Sequence, residues 1–500
     1  MMFKSVENIN NKLEKIFLLE NVKIYIRLVE CYCKKYNVEY EVTNQKTNFE
    51  ELKSIGVIST QADIALLESY LGDLFLDFIK ASNFINENKD ITNNLVDKLN
   101  NTKRLNLQKR NIRKNKYSLV DFFCGAGGLS LGFIQHGFNV KLANDIEDVC
   151  IQTYKYNHPE VPANKIVQGD IRDIVDNLGE YITQEVDVVV GGPPCQGFSQ
   201  ANRQRIIDDP RNKLYKDFIK AVKKIGPKFV VMENVKGMLK VANQVVEDYE
   251  KLILISGYTY KVSYKILNSM DFSVAQSRDR LIYIAIRSDV VDKMAITPEK
   301  IFDEIEANCK KNKLYTLGDA LGDIKPLDAS RVRNTNEIDS DTTGEKIGVN
   351  EYQNSNNEYL SLINMKREIP FVFNHKARYC SDLNYDIYRL LEPGNDATDE
   401  KIRDIMPYAH RNHCFKDKYY KLHANRPCRT ITAHLRMDCH SHIHPYQIRS
   451  LTPREAARVQ SFPDDYMFLG AYLKTYMQIG NAVPPMMARG IAGVIKKYID

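Results

Sequence analysis

Two periodicities divide this chain. In residues 22–32 and 64–81 apolar side chains recur three to four apart among charges, which predicts amphipathic helices within the first hundred residues. From residue 117 the pattern changes to short apolar runs separated by helix-like stretches: SLVDFF, FNVKLAND, KIVQGD, VDVVVGG, KFVVMENV and RLIYIAIR. Such strands alternating with helices predict an α/β unit whose parallel sheet is covered on both faces. After residue 288 the alternation dissolves into polar, Asn-rich sequence such as RVRNTNEIDSDTTGEKIGVNEYQNSNNEY, where a second domain or large insertion is expected. Regularity returns near Arg426. The chain of 500 residues exceeds the roughly 250 to 300 that one core usually supports. It divides into 1–116, 117–290, 291–425 and 426–500.

Charge sharpens the first boundary. The whole chain carries 70 Lys and Arg against 64 Asp and Glu, a net of +6 that identifies no nucleic-acid binder by itself. Residues 1–100 are slightly acidic, whereas 101–116 (NTKRLNLQKRNIRKNK) are basic with no acidic residue, as in a solvated linker or a phosphate-contacting segment. With 43% hydrophobic and 27% charged residues the composition is that of a globular protein. Neither an export signal nor a run of about 18 apolar residues is found, so a cytoplasmic, non-membrane protein is expected. The ten Cys lack paired metal spacing and are read as thiols.

Candidate chemistry lies at the strand ends. The first predicted strand runs into Cys124-Gly125-Ala126-Gly127-Gly128 and then a helix, a turn that lets a ligand approach the backbone at a helix N-terminus. Alone, the cluster is equally a sharp turn. Asp145 and Asp170 end the next two strands, and carboxylates at that edge can accept hydrogen bonds from ribose or adenine, though each singly could cap a helix. Together the three features favour a nucleoside cofactor. The fourth strand delivers Pro193-Pro194-Cys195, a thiol on a stiffened loop, positioned as a nucleophile must be. Glu233 ends the next strand, and Gln276-Ser277-Arg278-Asp279-Arg280 opens the last.

In this order FFCGAGG, GGPPCQGFS, MENV, QSRDR, RPCRTITAH and IGNAVPP closely resemble the ordered motifs of the DNA (cytosine-5)-methyltransferases. The resemblance implies a Rossmann-like methyltransferase sheet dependent on S-adenosylmethionine, split as 117–290 and 426–500. Residues 291–425 would be the target-recognition region, and 1–116 a helical extension with a basic linker. It implies that Cys195 attacks carbon 6 of cytosine, that Glu233 serves ring nitrogen 3, and that Arg278 and Arg280 fix the base carbonyl and the loop. Phe123, Gly125 and Gly127 would line the cofactor, with Asp145 and Ile146 at the ribose and Asp170 and Ile171 at adenine. Pro194, Leu214, Asn481 and Val483 would complete that pocket.

A base inside a stacked duplex is out of reach, so such an enzyme flips its target. Gln196, Ser199, Arg203, Arg205 and Arg211 would then contact DNA. Arg331, Arg333, Lys376, Arg378 and Arg411 are candidate base readers. The stretch with His410, His413, Cys414, Cys428, His434, Cys439, His440, His442 and His444 fits no closed tetrahedral spacing, so no metal is expected. The partner is duplex DNA; the resemblance allows a cognate restriction endonuclease, and the enzyme is expected to act as a monomer at the nucleoid. Two other classes share these features: an RNA cytosine-5 methyltransferase, and a regulatory DNA-binding protein that has kept the fold. Pro-Pro-Cys-Gln speaks against an amino-group methyltransferase, which carries Asp- or Asn-Pro-Pro-aromatic there. Cys124 replaces the small residue usual in the family's glycine turn.

Overall fold

The apolar runs form one sheet, in which those at 118–122, 188–191 and 229–234 are buried along their whole length. Its strands are β1 Ser118–Phe122, β2 Asn139–Asp145, β3 Ile166–Gln168, β4 Val188–Gly191, β5 Phe229–Asn234, β6 Tyr260–Asn268 and β7 Asp279–Arg287, in the spatial order β3-β2-β1-β4-β5-β7-β6. The structure, a computed structural model, describes residues 3, 5–88, 117–194, 214–351, 356–367, 369–407 and 418–499. The first five strands are parallel, as expected of strands joined by helices. At the far edge the sheet departs from the parallel arrangement: β7 runs antiparallel to both β5 and β6. The connection 269–278 is too short for a parallel crossover, which takes a dozen or more residues. Its partner β6, YKVSYKILN, escapes the sequence pattern, since Lys and Tyr interrupt the apolar run of a half-covered edge strand.

Alternation along the strands feeds two cores. Leu119, Val188, Val190, Phe229 and Val231 join one face's cluster, and Val120, Phe122, Val189, Val230 and Met232 the other's. Each such fully buried side chain stabilises the fold by about 1.5–3 kcal/mol. The helix Pro485–Ile495 returns from the chain's far end to cover the first face, packing on the helix Gly128–Gln135 that follows β1. Their approach is close: a β carbon at Gly132 would stand 2.4 Å from the Arg489 amide nitrogen.

The amphipathic segments of the first hundred residues are helices Lys12–Tyr36, Phe49–Ser54, Asp63–Leu71 and Leu74–Glu87. Asn11 caps the first, accepting from the Glu14 amide at 2.9 Å, and Asn37 ends it at a left-handed φ of 52°. Gly72, at φ 54°, divides what reads in sequence as one periodic run. Beyond residue 288 regular structure resumes sooner than the polarity suggests, in helices Ser288–Met294 and Pro298–Cys309, the second capped by Thr297 with Pro298 at its first position. Strands β8 Gly344–Val349 and β9 Phe371–Lys376 form a separate antiparallel hairpin. A small core around Ile387, Tyr388, Leu391 and Tyr419 lies beside it. Among the described residues no helix is long and apolar enough to cross a membrane.

Candidate active site

The turn after β1 is held by its neighbours' polar groups. Phe123, Gly125 and Gly127 all adopt positive φ, at 56°, 53° and 90°. At Gly127 a β carbon would stand 2.7 Å from the Tyr466 hydroxyl and 3.0 Å from His158 Nε2, so glycine is needed for both conformation and space. Beneath it, Tyr466 donates to the Ala126 carbonyl and is bonded to His158 Nε2 at 2.9 Å. The Tyr154 hydroxyl donates to Ser130 at 2.8 Å, and Ser130 donates to the buried Asp121 carboxyl. Burial pushes Asp121 up to about 7.

Asp145 grips the same turn from β2. Its Oδ2 accepts from the Gly125 amide at 2.8 Å and its Oδ1 from the Glu147 amide at 2.8 Å. Burial raises its pKa, and these two bonds oppose the rise. Ile146, next in the chain, is 63% exposed at this sheet edge. Asp170 instead caps the helix Ile171–Asp176, accepting from the Arg172 amide at 2.9 Å and pairing with the Arg172 guanidinium at 2.6 Å, which lowers its pKa. The Ile171 side chain is buried in the core and Leu214 is half-buried at the start of helix Leu214–Ile225. From the C-terminal segment, Val483 is buried and Asn481 exposed; a β carbon at Gly128 would stand 2.4 Å from the Val483 carbonyl oxygen. The cradle thus has a backbone floor, a fixed carboxylate and an open apolar platform. If the cradle holds S-adenosylmethionine as the sequence resemblance implies, Asp145→Ala weakens that binding by about tenfold or more, since a charged hydrogen bond contributes roughly 1.5–3 kcal/mol. Calorimetric titration giving an unchanged Kd would contradict this.

A second cluster lies at the ends of β4, β5 and β7. Glu233 Oε1 is 2.6 Å from Arg280 Nε, both side chains only 12% exposed. The other oxygen, Oε2, faces Gly192, where a β carbon would stand 3.0 Å away. Asn234, to which no role is legible in the sequence, donates to the Pro193 carbonyl at 2.9 Å and so fixes the chain entering Pro194. Cys195, Gln196, Ser199, Arg203, Arg205 and Arg211 lie outside the described residues.

Arg278 is wholly internal. Its guanidinium donates to the carbonyls of Ile431 at 2.6 Å and Gly480 at 2.9 Å, and burial lowers its pKa. Gln276 accepts from the Ile431 amide at 2.7 Å and donates to Gln460 at 2.7 Å, while Gln460 donates to the Ile479 carbonyl at 2.7 Å. These glutamines, Gln276 from within QSRDR and Gln460 from the helix end before IGNAVPP, tie QSRDR, RPCRTITAH and IGNAVPP into one wall behind the Glu233–Arg280 pair.

Of the candidate base readers, Lys376 and Arg378 turn inward. Lys376 is buried with its ammonium on the Ile338 carbonyl and Asp339, and Arg378 donates to the carbonyls of Leu435 at 2.9 Å and Met437 at 2.7 Å. Arg331 lies over the Tyr385 ring at 4.3 Å beside Asp382, and Arg333 over Tyr379 at 5.8 Å. Arg411, His410, His413 and Cys414 fall outside the described residues, as does the basic run 101–116. Among the described residues no three His, Cys, Asp or Glu are grouped to hold a metal, and eight cysteines are free thiols.

Three histidines of this region, His375, His442 and His444, are buried, whereas His434 is exposed. His375 bonds Thr452 at 3.1 Å and the Lys325 carbonyl at 2.7 Å, and His444 accepts from the Tyr446 and Gln447 amides at 3.1 Å. Burial lowers His375 from the ordinary 6.5 to about 4, and His442 and His444 to about 3. Because the folded values lie below the unfolded one, their contribution to stability is present above about 6.5 and is lost as pH falls towards 3–4. His136 and His440, which burial also lowers to about 4, add to the trend, while Asp121 and Asp145, which burial raises, oppose it. The melting temperature should therefore drop between about pH 7.5 and 5.5; a flat or rising profile would count against neutral burial.

Comparison with known proteins accords with this geometry. The family model for C-5 cytosine-specific DNA methylases matches residues 117–497. The type II methyltransferase M1.HphI of Haemophilus parahaemolyticus is 34% identical over 390 residues, covering 76% of this chain and 86% of the relative. The type II methyltransferase M.DdeI of Desulfomicrobium norvegicum is 32% identical over 404 residues, covering 77% and 89%. Among solved structures, a DNA modification methyltransferase encoded within an Escherichia coli prophage, described as putative, shares the fold with a TM-score of 0.54 and 24% identity, over 76% of this chain and 99% of that one. The chain belongs to the C-5 cytosine-specific DNA methylases and is a DNA (cytosine-5)-methyltransferase.

Proposed function

We propose that this enzyme methylates cytosine within one specific duplex sequence, taking the methyl group from S-adenosylmethionine and working through a covalent adduct on Cys195. The observation that carries the reading is the Glu233–Arg280 pair, 2.6 Å apart, set against Gly192 immediately ahead of Pro193-Pro194-Cys195. A carboxylate with one oxygen held by a buried guanidinium and the other turned to the nucleophile's loop suits a base pocket.

The Cys195 thiolate attacks carbon 6 of the flipped cytosine, opening the 5,6 double bond and making carbon 5 an enamine-like nucleophile. Glu233, through Oε2, meets the charge that would otherwise build at ring nitrogen 3. Arg280 orients that carboxylate and offers its remaining donors to the base carbonyl, while Arg278, already bonded to two backbone carbonyls, supports the wall. When bound, S-adenosylmethionine supplies an electrophilic methyl group. Phe123, Gly125, Gly127, Asp145 and Ile146 would hold it with Asp170, Ile171, Pro194, Leu214, Asn481 and Val483. After carbon 5 is methylated, a base removes its proton and the Cys195 sulfur departs, restoring the aromatic ring.

The space left by the flipped base is filled, and phosphates are contacted, from Gln196, Ser199, Arg203, Arg205 and Arg211. Residues 291–425 read the sequence, and Arg331 and Arg333 are better placed to do so than the inward Lys376 and Arg378. The similarity to type II methyltransferases supports a restriction–modification role, with a cognate endonuclease as partner, for a monomer working on cytoplasmic DNA. A duplex of randomised sequence containing 5-fluorocytosine tests the mechanism, because fluorine cannot leave as the proton does. With S-adenosylmethionine, wild type should accumulate a covalent protein–DNA complex carrying one methyl group. Methylation of ordinary DNA with no such complex would contradict the adduct.

A further inference from the structure

The family match begins at residue 117, yet residues 5–88 are packed into the same body. The helix Lys12–Tyr36 contributes Val22, Leu28 and Val29 to one apolar cluster with Ile347 of β8, Phe371 and Phe373 of β9, and Met467 and Leu469. Polar contacts follow one stripe of that helix. Glu20 Oε1 meets Lys346 Nζ at 2.5 Å and accepts from the Gly470 amide at 2.9 Å. Arg27 pairs with Glu345 at 2.7 Å and with Glu30 of its own helix at 2.9 Å, and donates to the Ile347 carbonyl at 3.3 Å, while Lys35 donates to the Asn350 carbonyl at 2.9 Å. Positions 20, 27 and 35 recur at close to whole turns, so one helix face tracks the length of β8.

The segment gripped by Glu20 is a junction. Tyr466 donates to Ala126 in the glycine turn, and Asn157 brackets Met467 with bonds of 2.7 and 3.0 Å. Asn374 of β9 brackets Phe468 with two bonds of 2.9 Å, and the Leu469 amide donates to Thr153 at 2.9 Å. Gly470 then leads into helix Tyr472–Asn481, whose last residue lies at the cofactor edge. The catalytic sheet, the hairpin and the N-terminal helix thus converge on five consecutive residues.

We propose that residues 5–88 are a positioning module for DNA recognition: the helix Lys12–Tyr36, through Glu20 and Arg27, sets the β8–β9 hairpin against the catalytic sheet. The proposal rests on the methyltransferase reading. Its test uses the full-length chain with Arg27→Glu, Glu345→Arg, the double exchange and Glu20→Gln, measuring kcat, KM for duplex DNA, KM for S-adenosylmethionine and melting temperature. Each charge reversal sets like charges together at a partly exposed pair and is expected to raise the DNA KM about fivefold, with kcat and the cofactor KM within about twofold; the double exchange recovers the larger part of that rise, the remainder reflecting the like charge it sets beside Glu30. Glu20→Gln keeps an acceptor for the Gly470 amide and loses only the charge. It therefore reads the same parameter in a well-folded protein, with about a two- to threefold rise expected. A DNA KM at the wild-type value in all variants would overturn the module, as would losses that follow melting temperature and are not rescued by the exchange. Wild type that methylates no duplex DNA would remove the methyltransferase reading as well, which separates the two failures.

Discussion

Cys195→Ala is expected to reduce methyl transfer to duplex DNA by on the order of 10⁴-fold while S-adenosylmethionine binds as in wild type. The asymmetry follows from the division of labour along the sheet edge. The proposed cofactor cradle is centred on β1, β2 and the C-terminal segment, through the Gly125–Asp145 bond and the Val483 approach to Gly128, neither of which involves residue 195. In the proposed mechanism the thiol acts only on the base, and without addition at carbon 6 carbon 5 is not nucleophilic enough to take a methyl group. Calorimetry and single-turnover transfer on the same preparation separate the two properties. Turnover within about tenfold of wild type would remove Cys195 from the mechanism.

Glu233→Gln should lower kcat by about 10²–10³-fold, the usual range for a positioned acid or base, with little change in cofactor affinity. The glutamine keeps the shape but cannot deliver a proton, and it cannot balance Arg280, whose guanidinium is buried and whose pKa burial lowers. Part of the loss therefore reflects an uncompensated Arg280. Arg280→Lys is the control: it keeps the charge and loses the planar fork, so a smaller loss is expected there than at Glu233. Equal losses in both variants, matched by equal drops in melting temperature, would reassign the pair to structure.

How much of this is legible in the chain depends on distance along it. Six strands announce themselves as short apolar runs, the central β1, β4 and β5 being apolar because they are buried throughout; β6 does not, because one neighbour and partial exposure admit Lys and Tyr. The capped helix Pro298–Cys309 is hidden although Thr297-Pro298 marks its start, because the surrounding polarity masks the periodicity. At the site, residue types at strand ends are readable and their partners are not. The cap that Asp170 places on its own helix is one of the two local readings open in the sequence, whereas nothing local shows that Lys376 and Arg378 point inward. Gln276 and Gln460, like Glu20 and Lys346, are ordinary surface-type residues in sequence that become buried or bridging only once distant segments meet. Sequence periodicity carries local structure and strand ends; the pairings that orient the chemistry are long-range.

The most direct test of the central claim is methyl transfer by the wild-type enzyme to duplex DNA and, separately, to tRNA, read by nucleoside mass spectrometry and by sequencing of the methylated strands. The expected product is 5-methylcytosine in DNA at one repeated sequence context, with none in tRNA. Methylation of tRNA alone, or methylated DNA lacking any common context, would contradict sequence-specific DNA methylation by this enzyme.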